Sequence, residues 1–193
     1  MRAHPFKKGL RALGIAESFN RRLGRKSVLA GVVMRKDLII DGFSFSRPEL
    51  EGDDATDRVL ELYERLGRKD VNVIMISGAV ISLYNIIDLE KVYEETKVPL
   101  ISLSYRESRG LEDAIKRHFP DRWERKLEMY NKLGKREEVI LKTGKKVFIR
   151  RYGLTKKEAK AVINSFLLQG RYPEPIRVAG LLAWSILRYL VGS

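Results

Sequence analysis

The sequence predicts an α/β domain: a mixed five-stranded sheet, three strands antiparallel and then two parallel, with helices on both faces. Three observations lead there. The stretch from Leu10 to Phe45 holds three β-rich runs joined by short polar turns, the pattern of an antiparallel meander. Val71 to Ile76 and Pro99 to Ser104 are continuously apolar, as strands buried on both faces are, and a helical stretch separates them. The chain also opens with no glycine-rich turn and crossover helix, which a dinucleotide-binding sheet would require.

Taken in order, Leu10 to Glu17 reads as a short apolar strand in which Gly14 admits a close backbone neighbour. Ser27 to Arg35 and Leu38 to Phe45 follow, divided by the charged turn Arg35-Lys36-Asp37. Pro48 ends the meander. Asp53 or Asp54 then caps a helix running to about Leu66, with Val59, Leu62, Tyr63 and Leu66 on one face and Gly67 as the stop. After the strand ending at Ser77-Gly78, the spacing predicts a helix over 83–95 that places Asn85 and Asp88 on one face. Strand, helix, strand at this spacing is a parallel crossover. Further helices are predicted from Ser108 or Gly110 to His118, and over Asp121 to Leu133 with Trp123, Leu127 and Tyr130 as the apolar side. Glu137 to Ile149 reads as a hairpin around Lys142-Thr143-Gly144-Lys145, and Thr155 caps a helix to Leu168. Arg171 to Pro175 reads as an extended linker, and Arg177 to Tyr189 as the last helix. The element order is that of a ribonuclease H-like sheet. It predicts a single domain over 1–193, with 137–193 as a hairpin and helix extension packed on it.

Composition narrows the function. A net charge of +13, from 38 Lys and Arg against 25 Asp and Glu, favours polyanionic partners, and nucleic acid is the commonest in a cell. The absence of cysteine excludes disulfides, thiolate metal sites and a cysteine nucleophile. No apolar run is long enough to cross a membrane, and Met1 to Lys8 lacks the apolar core of a signal peptide, so a cytoplasmic location is expected. His4 and His118 are the only histidines, too few for a histidine zinc site.

Within so basic a chain, gathered acids invite explanation. Glu17 ends the first strand, near the sheet centre. Asp53 and Asp54 form an acidic turn, and Asp88 lies on the following helix with Asn85. Carboxylates from three segments aimed at one spot repel each other unless a hard cation such as Mg²⁺ or Mn²⁺ sits among them. Each acid also has a plainer role as a helix cap or a solvated surface group. For phosphate contacts, Tyr105, Arg106 and Arg109 follow the last parallel strand, at the edge where open α/β sheets collect ligands. Lys145, Lys146 and Arg150 make the hairpin basic, with Phe148 and Tyr152 interleaved.

The motifs Leu13-Gly14-Ile15-Ala16-Glu17-Ser18-Phe19 and Glu51-Gly52-Asp53-Asp54-Ala55-Thr56-Asp57 resemble the archaeal domain-of-unknown-function family 99, of endonuclease dU type and related to endonuclease V. Met75-Ile76-Ser77-Gly78, Tyr84-Asn85-Ile86-Ile87-Asp88 and Pro173-Glu174-Pro175-Ile176-Arg177-Val178-Ala179 carry the resemblance along nearly the whole chain. It implies a ribonuclease H-like fold and metal-dependent cleavage of nucleic acid, DNA before RNA, at deaminated bases, uracil or hypoxanthine. It also implies a first-strand carboxylate, which falls to Glu17 because its neighbour is Ala16, with Asp53 and Asp54 next. Endonuclease V has Asp-Gly where this chain has Ser77-Gly78, so Asp88 is the substitute third acid. The alternative is a nucleic-acid-binding module of the same fold that does not cleave.

Overall fold

The computed structural model describes residues 9–191. His4 and the basic start fall outside them. A seven-stranded sheet runs through the molecule in the order β3-β2-β1-β4-β7-β9-β8. Its first half is the predicted meander: β1 (Arg11–Ser18), β2 (Val28–Arg35) and β3 (Ile40–Ser46), paired antiparallel. Helix α1 (Ala55–Arg65) leads to β4 (Val73–Ser77), which lies parallel to β1. A two-strand hairpin, β5 (Val80–Ile81) and β6 (Asn85–Ile86), precedes α2 (Leu89–Thr96) and β7 (Leu100–Ser104), parallel to β4. Then come α3 (Glu112–His118), α4 (Trp123–Lys132), β8 (Glu137–Ile140), β9 (Lys146–Tyr152), α5 (Lys156–Ser165) and α6 (Glu174–Val191).

Strand β1 shows how the sequence sets the layers. Its large residues Leu13 and Ile15 enter one core with Val59 and Leu62 of α1 and Val92 of α2. Its small residues face the other way. Ala12 and Ala16 enter a second core with Ala159 and Val162 of α5 and Ile176 and Ala179 of α6. The small side chains let α6 come down close: a Cβ added to Gly14 would overlap the backbone of Pro175. Helix α5 is fixed at its start by a complete capping box, Thr155 and Glu158 satisfying each other's backbone N–H groups.

Three expectations are corrected. The sheet has seven strands, not five, because the hairpin β8–β9 is part of it: β9 pairs antiparallel with β7, Ser104 opposite Phe148 and Leu100 opposite Tyr152. Val139, Val147 and Ile149 are buried, so the hairpin gains a core face by joining the sheet. The helix expected over 83–95 begins only at Leu89, because Ser82, Leu83 and Tyr84 are all left-handed, with φ of 45°, 57° and 70°. Asn85 lies in β6, and Asp88 is the N-cap of α2, its side chain accepting from Lys91 N at 3.1 Å. The last helix also starts earlier than predicted, at Glu174, because Pro175 fits a first helical turn, where its missing N–H has no partner to lose.

Candidate active site and nucleic-acid cleft

The carboxyl ends of β1, β4 and β7 share one edge of the sheet, and the chemistry gathers there. Glu17, one residue before the end of β1, grips the left-handed turn. One of its oxygens accepts from Ser82 N at 2.9 Å and the other from the Ser82 hydroxyl. The Ser82 hydroxyl also meets that of Ser27 at 2.9 Å, and Glu51 N donates to Ser82 O at 2.6 Å. Three successive non-glycine residues in the left-handed region, each disfavoured by about 1 kcal/mol or more, persist only where the surroundings over-determine them. Glu51, with φ of 61°, is a fourth.

The acidic turn is fastened to the same segment. Asn85, fully buried, donates to Glu49 O at 2.9 Å and to Asp54 Oδ1 at 2.7 Å, while its oxygen accepts from Ala55 N at 2.9 Å. Asp54 therefore stands at the N-cap position of α1, but Asn85 satisfies the first helical N–H there. Burial pushes the Asp54 carboxyl up. Hydrogen bonds from Arg58, Asn85 and Glu49 N outweigh it and hold the group below the ordinary carboxylate value. Asp53 points to Lys126 of α4, whose ammonium lies 2.7 Å away and which as a residue is 1% exposed. The Glu51 carboxylate meets His118 Nε2 at 2.7 Å, and the imidazole rests against the ring of Tyr84 at 5.1 Å between centroids.

Thus Glu17 and the acidic turn are joined through Ser82, whereas Asp88 is spoken for elsewhere: its carboxylate accepts from Lys132 at 2.7 Å, beside Tyr152. Burial pushes Asp88 up, but Lys132 and the backbone N–H groups of Lys91 and Glu90 hold it low. Among the described residues no group of three acids or histidines is arranged to hold a metal ion. Each expected ligand already has a cationic or N–H partner, so this donor set does not fit a divalent cation.

The nucleic-acid candidates fare differently. Beside the β5–β6 hairpin opens a cleft of about 380 Å³ lined by Ser77, Gly78, Tyr105, Arg106, Arg136, Arg150 and Tyr172. A second cleft of about 500 Å³ shares Arg136 and Arg150 and adds Arg109 and Phe148. Tyr105 and Tyr172 lie 4.2 Å apart, and Arg171 sits over both rings. The Tyr105 hydroxyl is buried and completes no hydrogen bond of normal geometry among the described residues; burial pushes its ionisation well up. Arg136 stacks over Phe148 at 5.1 Å and donates to Arg106 O at 3.1 Å. Burial lowers the Arg150 guanidinium from its usual value. Lys146 opens β9 at the same edge, pairing with Glu138 at 3.0 Å, and Lys145 is exposed on the hairpin turn.

The sequence reading missed Ser82, Glu51, Lys126 and Arg136. Lys126 alone left a trace: it interrupts the apolar side of α4 between Trp123 and Tyr130.

The endonuclease dU family profile matches residues 8–187. The chain belongs to the endonuclease dU family. A UPF0215 protein of Pyrobaculum calidifontis is 37% identical over 179 residues, 92% of this chain and 97% of the relative. The crystal structure of a protein of unknown function from Archaeoglobus fulgidus superposes with a TM-score of 0.79 at 27% identity, over 92% of this chain and 98% of that one. Endonuclease V of Ciona intestinalis, in complex with DNA containing an inosine followed by a ribo-adenosine, superposes with a TM-score of 0.62 at 14% identity, covering 95% and 88%. At that identity the likeness is one of fold: the mixed α/β sheet of this chain is similar to that of endonuclease V. Among the described residues no helix is long and apolar enough to cross a membrane.

Proposed function

We propose that this endonuclease dU family member is a nuclease that hydrolyses phosphodiester bonds in nucleic acid, DNA before RNA, beside a deaminated base. The observation that carries the reading is the cationic, aromatic cleft opening beside the Glu17–Ser82 knot, at the carboxyl edge of the parallel strands. Arg106, Arg136 and Arg150 supply phosphate donors, and the paired rings of Tyr105 and Tyr172 offer a stacking surface for an unpaired base. His118, held by Glu51 at 2.7 Å and resting against the Tyr84 ring, is the side chain assigned as general acid or base. Glu17 acts by fixing the turn that carries Ser82 to Tyr84.

The test is cleavage of labelled single strands and duplexes carrying uracil or hypoxanthine, with Mg²⁺, with Mn²⁺ and with EDTA. Cleavage at the altered base is expected, falling by about 10²-fold or more in His118→Gln, the scale of a lost general acid or base. Cleavage that Glu17→Ala, His118→Gln and Arg136→Ala all leave unchanged would sink the assignment. A second reading, a binding module without cleavage, is favoured by Ser77 standing at the end of β4 and by the partners that already occupy the acids. Tight, salt-dependent binding without product under every metal condition would select it.

A further inference from the structure

The acidic turn already holds a cation. Lysine is almost never fully buried unless paired, yet Lys126 has 1% of its surface exposed. An ammonium has three donors. Here they meet Gly52 O at 2.7 Å, Asp53 Oδ1 at 2.7 Å and Tyr84 O at 3.0 Å, so every donor is satisfied by an oxygen. The Phe119 ring closes the site 4.8 Å from the nitrogen. Two carbonyls and a carboxylate are the oxygen donors a hard metal ion selects. They come from two loops, 52–53 and the left-handed turn ending at Tyr84, that the same ammonium ties together.

We propose that the Lys126 ammonium is the resident cation of this turn, standing where a divalent metal would otherwise be held between Asp53, Gly52 and Tyr84. Asp53 is then a partner of lysine and not a metal ligand, and the loops are set in place before any substrate arrives. The proposal goes beyond the nuclease reading and does not depend on it, because its test needs no nucleic acid.

The test is thermal unfolding of the full chain with and without millimolar Mn²⁺, for the wild type, Asp53→Asn, Lys126→Met and the double variant. Methionine keeps the length of the stem and removes the charge. The wild type and Asp53→Asn are expected to respond identically to Mn²⁺. Lys126→Met is expected to melt several degrees lower and to regain part of the loss with Mn²⁺, a rescue that the double variant lacks. A folded Lys126→Met indifferent to Mn²⁺ would overturn the proposal. So would a wild-type midpoint that Mn²⁺ raises and Asp53→Asn makes unresponsive. If Lys126→Met does not fold at all, the wild-type and Asp53→Asn pair still decides the matter.

Discussion

Asp88 shows how one carboxylate can serve stability alone. It caps α2, accepts from Lys132, and its own N–H donates to Thr56 at 2.9 Å, so it joins α1, α2 and α4. Its folded ionisation lies below the unfolded value, as does that of Asp54. The unfolded state therefore binds more protons in acid, and stability rises with pH through that range. The contribution is fully present above about pH 4, the unfolded carboxylate value, and is lost as pH falls through the folded one. Asp88→Asn keeps a capping oxygen but loses the Lys132 ion pair, so it should destabilise the protein at neutral pH by about 0.2–1 kcal/mol, with the deficit closing in acid. Urea midpoints measured from pH 7 down to pH 2.5 would check it; a deficit that stays constant with pH would contradict it. Since Asp88 lies outside the cleft, cleavage at neutral pH should survive the change.

Among the elements, β1 and α6 pack in close backbone contact. Gly14→Ala would drive a methyl group into Pro175 backbone atoms, which cannot swing aside as a side-chain tip could. Overpacking of this kind costs about 1–3 kcal/mol, and backbone contact points to the upper end. A melting point within a degree of wild type would show that α6 is less firmly seated. The strands β1, β2, β4 and β7 were legible in the sequence because their signals are local: apolar runs bounded by turn residues. The hairpin β8–β9 was equally legible as a hairpin. Its place beside β7 was not, because pairing of Ser104 with Phe148 joins residues far apart in the chain. The misread helix has a different cause. Leu83, Ile86 and Ile87 keep a helical apolar rhythm, and nothing in Ser82-Leu83-Tyr84 signals left-handed backbone, which glycine or asparagine normally marks. The individual acids of the site were legible for the same local reasons. Their partners were not, since Lys126 lies 73 residues from Asp53 and Ser82 lies 65 from Glu17.

Over the whole molecule, the net charge is +13, and several of the 38 Lys and Arg are neutralised locally by ion pairs away from the cleft. Arg11 and Arg68 are engaged by Asp41 and Asp70, and Arg58 and Arg65 by Glu61. The cleft guanidiniums Arg136 and Arg150 instead donate to neutral backbone carbonyls, which position them and leave their charge available to phosphates. Binding of a single-stranded oligonucleotide should therefore weaken steeply with salt. Arg136→Ala should lower the slope of log K against log salt by about 0.7, the loss of one phosphate contact on a single strand. Arg65→Ala, on the far edge beside Phe45, should leave that slope unchanged.

The left-handed turn has a consequence for how this protein trades durability against work. Leu83 is not fully buried and has a φ of 57°, so glycine there would relieve about 1 kcal/mol of backbone strain. Leu83→Gly should then melt at a higher temperature while cleaving more slowly, because the relaxed turn no longer has to hold Tyr84 against His118. A variant both hardier and slower would mark the turn as a spring held under load by Glu17 and Lys126. One that melts lower would mean that leucine is there for its packing.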